Sequence, residues 1–223
     1  MTSLARSGQV RTTFMKLYHI PGSCSLSPHI VVRELGLAVD LVRVDHRRHK
    51  TEVGDDFLAI NPLGYAPVLE LADGTRLREG PAIVQFLADQ DPDSRLVPRQ
   101  GTFARYRLQE WLNFLSTEIH KGFIPLLYAV ATGKYVDTVR PKLMTRFEYL
   151  DRHLQRSPYL MGDTLSVADA YLFALTRWGK ADWMTSVYNA EFDVSGLIHL
   201  RDWFCRVHER PAVLTALAFE SAA

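Results

Sequence analysis

The sequence predicts an α/β unit followed by an all-helical unit. Three observations support this division. Strand-like and helix-like segments alternate over residues 15–91, a stretch rich in proline and charge follows, and no segment beyond it has a strand pattern. We therefore predict an α/β domain over 15–91, a linker over 92–101 and an all-α domain over 102–223. Residues 1–14 are expected to be a disordered extension or a tag, with Met15 as a candidate natural start.

The α/β unit begins with a strand and a helix. An apolar strand-like stretch covers 14–20 and ends at Pro21-Gly22. Apolar residues then repeat at helical spacing, and we predict a helix with Ser27 as its N-cap and Pro28 as its first residue. Cys24 is therefore expected just ahead of a helix N-terminus.

The elements that follow complete the order of a thioredoxin-like domain. Residues 41–46 alternate as a second strand, and two apolar strands flank Asp73-Gly74, which is a strong hairpin signal. A short helix is predicted over 81–90. Strand, helix, strand, hairpin and helix in this sequence predict a thioredoxin-like α/β N-terminal domain ahead of the all-α C-terminal domain.

The second unit is predicted to consist of helices that each keep their apolar residues on one face. Ser166 and Asp169 have capping-box spacing, with Asp in place of the usual Glu. Cys205 is expected to lie in the core. The predicted helices include Leu108–Ile119 ahead of Pro125, Val139–Leu154, Tyr171–Trp178 and Leu200–Val207.

The composition excludes several classes of partner. The chain is 47% hydrophobic and 23% charged with a net charge of +1, so neither nucleic acid nor a membrane surface is an expected partner. No apolar run reaches the ~18 residues that a transmembrane helix needs. Cys24 and Cys205 are far apart and lack metal-ligand spacing, so neither a disulfide framework nor a metal site is predicted. A reducing cytoplasm fits this cysteine usage best.

Cys24 is the first candidate for chemistry. It leads the segment Cys24-Ser25-Leu26-Ser27, where the first-turn N–H groups and the dipole of the predicted helix favour an anion. A thiolate would be stabilised there, either the side chain's own or that of a bound partner. The alternative is a small buried cysteine without chemistry, as most lone cysteines are.

Two further segments of the α/β unit contain candidate residues. Pro67 opens a hairpin strand, so it is either a loop proline or a cis-proline that leaves the backbone of Ala66 free to pair with an extended peptide. Glu79 and Gly80 stand at a predicted helix start, where a carboxylate is either a simple dipole partner or a ligand for an ammonium group.

A polar stripe is predicted on the first long helix of the second unit. Asn113, Thr117 and His120 are spaced by four and three residues, which places them on one helical face away from the apolar residues. Such a stripe is most often solvated. On spacing alone it has no functional meaning.

Four stretches in the same order resemble the cytosolic glutathione transferases, and most closely the bacterial beta class. They are MKLYHIPGSCSLSPHIVVRE, INPLGYAPVLEL with EGPAIVQFLAD, EWLNFLSTEIHKGF and LSVADAYLF. The resemblance extends from Met15 to the end of the chain. It implies a thioredoxin-like domain packed on a helical one, a homodimer, and glutathione bound at the domain junction.

The resemblance also implies roles for individual residues of the α/β unit. Cys24 matches the cysteine that marks the beta class. Ala66 and Pro67 match the pre-cis-proline and cis-proline residues that pair with the cysteinyl backbone of glutathione. Glu79 and Gly80 match the pair that holds its γ-glutamyl end.

In the helical unit, Asn113, Thr117 and His120 match residues that reach the glutathione and the Cys24 region. Ser166 and Asp169 match the folding capping box of the family, which makes them structural. No metal is implied, and glutathione is a co-substrate.

The chain departs from the family pattern at three positions. His19 replaces a tyrosine near the cysteine, and Gly80 replaces the serine of other classes. His49 replaces a lysine that meets the glycyl carboxylate, so His49 is a candidate glutathione ligand. An imidazole is only partly charged at neutral pH, and we expect glutathione affinity to fall as the pH rises.

Activation of the glutathione thiol needs more than the helix N-terminus. A thiol with a pKa of ~8.5 requires a shift of ~1.5 to 2 units, or ~2 to 3 kcal/mol, to become mostly thiolate at pH 7. A helix end contributes about 0.3 to 1 kcal/mol, and up to ~2 kcal/mol when well buried. A second donor is therefore expected. His120 is favoured by the family match, with His19 and the Ser25 hydroxyl as alternatives.

Three functions remain open from the sequence. The first is conjugation of the glutathione thiolate to a small hydrophobic electrophile, catalysed by Cys24 and His120. The second is glutathione-dependent redox chemistry in which Cys24 is the nucleophile, as in a thiol-disulfide oxidoreductase, a peroxidase or a reductive dehalogenase. The third is a non-enzymatic glutathione-binding or ligand-binding stress protein.

Overall fold

The computed structural model describes residues 15–91, 93–128, 131, 133–179, 181, 184, 186 and 192–221. The predicted extension at 1–14 lies outside these residues. Within them the predicted fold class is confirmed, since a mixed sheet with its helices is followed by helices alone. None of the helices in the described ranges is long and apolar enough to cross a membrane.

The α/β unit is built around a five-stranded sheet with the order β3-β2-β1-β4-β5. β1 runs parallel to β2, while the β1–β4, β2–β3 and β4–β5 pairs are antiparallel. Its strands are β1 (Met15–His19), β2 (Val39–Asp45), β3 (Lys50–Thr51), β4 (Val68–Glu70) and β5 (Arg76–Arg78). Its helices are α1 (Leu26–Leu35), α2 (Phe57–Ile60) and α3 (Gly80–Ala88).

The helix α1 begins earlier than predicted. Ser25, rather than Ser27, occupies the N-cap position, and Leu26, rather than Pro28, is the first helical residue. The Ser27 hydroxyl instead donates to the Cys24 carbonyl over 2.9 Å inside the first turn. The shift brings Cys24 within two residues of the helix start.

The helical unit differs from the prediction in its first long helix. The expected continuous helix is interrupted by a π-helix, in which i→i+5 hydrogen bonds widen the turns. Pro125 lies inside the next helix instead of ending the one before it. The segments are α4 (Phe103–Phe114), the π-helix (Leu115–His120), α5 (Lys121–Leu127), α6 (Tyr135–Leu154), α7 (Val167–Gly179), α8 (Ile198–His208) and α9 (Pro211–Ser221).

One apolar core runs through both units. It joins buried side chains of β1 and α1, such as Leu17 and Ile30, to buried side chains of α4 and α7, such as Leu108 and Phe173. α1 packs against α3 on its own unit and against α7 and α9 of the helical unit. A smaller cluster, which includes Tyr18 and Phe57, covers the face of the sheet that packs against α2.

The predicted linker is fixed to both units. The buried Arg105 of α4 donates to both carboxylate oxygens of Asp89 over 3.0 and 2.6 Å, and to the Pro98 carbonyl over 3.0 Å. The side chain of Leu96 is buried, and its carbonyl accepts from the Val167 N–H over 3.0 Å. The domain limits 15–91, 92–101 and 102–223 stay a prediction. The described part of the linker is packed rather than free.

The structure shows the Asp169 half of the capping box predicted from Ser166 and Asp169. Asp169 Oδ2 accepts from the Ser166 N–H and hydroxyl over 2.9 and 2.7 Å. Its Oδ1 accepts from the Leu160 N–H and the Trp203 indole over 2.9 and 3.0 Å. The fully buried carboxylate therefore fixes the start of α7 and also ties it to α8.

The prediction that Cys205 is a core residue is wrong. Cys205 is exposed on α8, whereas Leu200, Trp203 and Val207 of the same helix are buried. The three buried residues lie three and four positions apart, so they share one helical face, and Cys205 falls on the opposite side.

Candidate functional site

The candidate site lies where α1 begins beside the start of β4. Cys24 is buried there, and its thiol lies 3.9 Å from the Ala66 carbonyl oxygen. The Ala66–Pro67 peptide bond is cis, so Pro67 is the cis-proline of the two alternatives. The fold thus brings Cys24, Ala66 and Pro67 together from segments more than forty positions apart, as the separation of 42 between Cys24 and Ala66 shows.

Burial, not the helix N-terminus, dominates the ionisation of Cys24. The surrounding apolar side chains raise the pKa of the Cys24 thiol to about 12. Glu79 also raises it, while a backbone hydrogen bond and Lys121 act in the opposite direction. Cys24 is therefore a neutral thiol at pH 7, which differs from the expectation that its own thiolate would be stabilised.

Glu79 and Gly80 form the second side of the site. Glu79 has a φ of 68°, which is a strained conformation for a non-glycine residue and is typical of ligand sites. Its Oε1 accepts from the Tyr65 hydroxyl over 3.3 Å. A Cβ atom on Gly80 would lie 3.9 Å from Pro67 Cγ, so the start of α3 adjoins the cis-proline.

His120 is held by a residue that sequence analysis placed in the core. Its Nδ1 lies 2.7 Å from the Tyr171 hydroxyl oxygen, and its ring packs edge-on against Trp178 at a centroid distance of 5.1 Å. Burial lowers the pKa of His120 to about 4. The imidazole is therefore uncharged at neutral pH.

Tyr171 connects His120 to the rest of the site. Its ring atom Cε2 lies 4.0 Å from the position of a Cβ on Gly80, so the phenol ring adjoins the start of α3. Burial raises the pKa of Tyr171 well above its usual range, so the phenol stays protonated.

The contact with Tyr171 bears on the tautomer of His120. When the protonated phenol donates to His120 Nδ1, that nitrogen is the acceptor. The imidazole proton then resides on Nε2. The only signal in the sequence for this role of Tyr171 is a hydroxyl among the apolar residues of α7.

The structure places the other sequence candidates outside this cluster. Asn113 and Thr117 are exposed on the surface, where the Thr117 hydroxyl donates to the Asn113 carbonyl over 3.1 Å. No described contact joins either residue to Cys24 or Glu79. His49 has a φ of 51°, and its Cε1 would lie 2.9 Å from a Cβ on Gly64, so its ring packs against the loop that leads to Ala66.

The two alternative donors, His19 and Ser25, are not arranged for that role. His19 is fully buried against the rings of His29 and Phe219, at centroid distances of 6.1 and 5.7 Å. The Ser25 hydroxyl accepts from the Ile20 N–H and lies 3.0 Å from the Ile20 carbonyl. Both side chains therefore serve the local structure, because β1 turns His19 toward α1 and α9, and Ser25 closes the turn after β1.

Among the described residues, no group of three or more His, Cys, Asp or Glu side chains is placed to hold a metal ion. The site can supply a backbone edge at Ala66, a carboxylate at Glu79 and two neutral proton donors at Cys24 and His120. This set suits an extended peptide that carries an ammonium group and a sulfur anion.

Comparisons with known proteins match this geometry. The family model "Glutathione S-transferase, N-terminal domain" matches residues 22–90, and "Glutathione S-transferase, C-terminal domain" matches residues 114–211. Glutathione S-transferase GstA of Escherichia coli O157:H7 is 41% identical over 92% of this chain and 98% of its own length. Glutathione S-transferase GST-4.5 of Xanthomonas campestris is 34% identical over 92% of this chain and 98% of its own length.

Solved structures agree over similar lengths. A ternary complex of BphK, a bacterial transferase of this kind, is 48% identical with a TM-score of 0.85, and the match covers 92% of this chain and 99% of that one. A bacterial beta-class enzyme of Sphingomonas chungbukensis is 39% identical with a TM-score of 0.85, covering 93% and 100%. The chain therefore belongs to the glutathione S-transferase family and is a glutathione transferase.

Proposed function

We propose that this protein conjugates glutathione to small hydrophobic electrophiles. The cysteinyl backbone of glutathione pairs with the backbone of Ala66 beside cis-Pro67, and the γ-glutamyl end is held by Glu79 and Gly80. The proposal is supported by the cis Ala66–Pro67 bond beside Cys24 and by a sphingomonad transferase solved in complex with glutathione, which is 37% identical to this chain with a TM-score of 0.86.

The neutral state of Cys24 favours conjugation over redox chemistry. Because its pKa is raised to about 12, Cys24 is a poor nucleophile at neutral pH but can donate a weak hydrogen bond to a neighbouring sulfur anion. The glutathione thiolate is then the attacking group. The thiol proton of glutathione passes to solvent water, its sulfur then donates an electron pair to the electrophilic carbon, and the leaving group departs with the pair of the broken bond.

His120 supplies the second donor that thiolate formation needs. With its pKa lowered to about 4, the imidazole donates from Nε2 as a neutral group and loses no proton when the sulfur becomes negative. A hydrogen bond to a charged group contributes roughly 1.5 to 3 kcal/mol. Together with the N-terminus of α1, this covers the ~2 to 3 kcal/mol that thiolate formation at pH 7 requires.

We also propose a homodimer in the cytoplasm. Phe103 and Tyr106 on α4 are 75% and 62% exposed, which is typical of an interface with a second copy. Asn113 of α4 and Thr117 of the π-helix that follows it are exposed and in such a dimer are available to a neighbouring glutathione. The two cysteines are unpaired, in keeping with a reducing compartment.

The substitution Cys24→Ala separates the candidate functions. Conjugation of a chloronitrobenzene is expected to fall by less than about tenfold, since one hydrogen-bond donor is removed. If the unmodified enzyme transfers glutathione to or from a mixed disulfide, the Cys24→Ala variant is expected to lose that activity. Cys205→Ala is the matched control, because it removes the exposed cysteine of α8, and both activities should stay unchanged.

The opposite results identify the other functions. Loss of conjugation in a folded Cys24→Ala protein would contradict the proposal, because the loss of one weak hydrogen-bond donor does not account for it. An unmodified protein that has neither activity but is retained on immobilised glutathione would be a binding protein.

A further inference from the structure

The turn that precedes Cys24 is held in place from the helical unit. Residues 20–23 form a tight turn in which the Ser23 N–H donates to the Ile20 carbonyl over 3.1 Å, and Gly22 has a φ of 75°. The position of this turn determines where Cys24 enters α1. Ser25 bonds both backbone groups of Ile20 at the start of the turn, whereas Gly22 is bound from the helical unit.

Both backbone groups of Gly22 are bound by side chains distant in sequence. Its N–H donates to Glu220 Oε2 of α9 over 3.1 Å, across 198 positions of the chain. Its carbonyl accepts from the Trp178 indole of α7 over 3.0 Å, across 156 positions. Trp178 also packs against the ring of His120, so the same indole contacts the turn before Cys24 and the second donor of the site.

Glu220 occupies an unfavourable position for a carboxylate. Its side chain is only 6% exposed, and it lies in the last turn of α9, where the helix dipole disfavours negative charge. Its ion pair with Arg177 is long, at 3.7 Å, and Oε1 has no hydrogen-bond partner among the described residues. The stability of α9 therefore does not account for an acid here, and the contact with Gly22 does.

The other end of α9 offers a contrast. Arg210, immediately before α9, donates to both oxygens of Glu34 on α1 over 2.6 and 2.8 Å. This pair anchors the helix to α1 without touching the turn. Glu34 thus anchors α9 to α1, whereas Glu220 binds the turn.

We propose that Glu220 is a positioning residue that holds the Pro21-Gly22 turn and thereby keeps Cys24 buried against Ala66. When the turn is fixed, the N-terminus of α1 and the Cys24 thiol both face the position proposed for the glutathione sulfur. The catalytic consequence rests on the proposed function, whereas the effect on the burial of Cys24 does not.

Alkylation of Cys24 by iodoacetamide tests the proposal without glutathione. In a Cys205→Ser background Cys24 is the remaining cysteine of the chain. Glu220→Ala is expected to raise its alkylation rate about fivefold, equivalent to ~1 kcal/mol for one lost hydrogen bond. Glu220→Gln keeps an acceptor oxygen for Gly22 and is expected to stay within about twofold of the parent protein.

Glu34→Gln is the control for anchoring of α9. It breaks the pair with Arg210 and is expected to lower the melting temperature while leaving the alkylation rate unchanged. Equal alkylation rates in the Glu220→Ala and parent proteins would overturn the proposal. So would a rise in Glu34→Gln as large as that in Glu220→Ala, because general loosening of α9 would then explain both.

Steady-state kinetics give the second readout. Glu220→Ala is expected to lower kcat about fivefold with a smaller change in the KM for glutathione, because the turn orients the sulfur site and not the γ-glutamyl site. A rise in KM with unchanged kcat would contradict this. If the unmodified protein has no transferase activity, the proposed function fails, and the alkylation rates still decide the role of Glu220.

Discussion

The space beside Gly80 is large enough for a small side chain. A Cβ atom would lie 3.9 Å from Pro67 Cγ and 4.0 Å from Tyr171 Cε2, which are ordinary contact distances. A serine therefore fits at the start of α3. Its hydroxyl is expected to donate to the γ-glutamyl carboxylate of glutathione.

We predict that Gly80→Ser lowers the KM for glutathione about fivefold, because one added hydrogen bond contributes about 1 kcal/mol. Initial rates at varied glutathione concentration measure the effect. Gly80→Ala is the matched control, since it adds the Cβ without the hydroxyl. Serine and alanine variants with the same KM would show that no donor is needed there.

The site residues that have local signals were predictable from the sequence. Cys24 follows a Pro-Gly corner at a helix start, and Glu79 stands at the start of another helix. Tyr171 was not predicted, because a tyrosine in an apolar helix is read as a core residue. Its role depends on His120, which lies 51 positions earlier, and no local pattern reports such a distance.

At the scale of elements, the π-helix determines where His120 points. Spacing by four and three residues predicts one face for Asn113, Thr117 and His120 only if the helix is α-helical throughout. The wider turns of residues 115–120 contain more residues per turn, so each residue rotates less about the helix axis. His120 therefore does not reach the helical face on which Thr117 lies. Thr117 is consequently exposed, and His120 turns inward to Tyr171. Hydrophobic periodicity does not distinguish the two kinds of turn over six residues.

The start of α7 depends on one carboxylate. Asp169 accepts four hydrogen bonds, two of them from Leu160 and Trp203 outside the capping box. We predict that Asp169→Ala lowers the free energy of unfolding by roughly 3 to 5 kcal/mol, because it leaves buried donors unpaired. Urea unfolding measures the change.

Ser166→Ala is the comparison for that measurement. It removes only the hydroxyl that donates to Asp169 Oδ2 and is expected to cost about 1 kcal/mol. If both substitutions cost the same, the contacts to α8 and to Leu160 contribute nothing beyond the cap.

At the scale of the whole molecule, buried histidines make stability depend on pH. Burial lowers the pKa of His19 to about 4, of His29 to about 3 and of His120 to about 4, from an ordinary value of 6.5. The unfolded chain therefore binds more protons than the folded chain below about pH 6.5. This contribution to stability is complete above that pH and is lost as the pH falls toward 4.

We predict that the free energy of unfolding decreases from pH 6.5 to pH 4, by on the order of 2 to 3 kcal/mol for each of these histidines. Urea unfolding at a series of pH values measures the slope. His19→Leu removes one imidazole that has no hydrogen-bond partner among the described residues, so its slope should be shallower. A slope equal to that of the unmodified protein would show that His19 does not titrate in this range.

The order of strands and helices was predictable because each element has its own periodicity. The packing between the two units was not. Residues 92–101 are rich in proline and charge, which indicates a break between regular elements. This composition does not show that Leu96 and Arg105 fix the segment to the rest of the molecule. Those contacts join residues that have no common pattern in the sequence.

The continuous core has a consequence for exchanging parts between related proteins. α1 packs against α3 of its own unit and against α7 and α9 of the helical unit, so two of these three neighbouring helices belong to the other unit. A chimera that joined residues 15–91 to the helical unit of a relative would have to match those two helices as well as the junction. A stable exchange between relatives is therefore expected to require that both domains are transferred together.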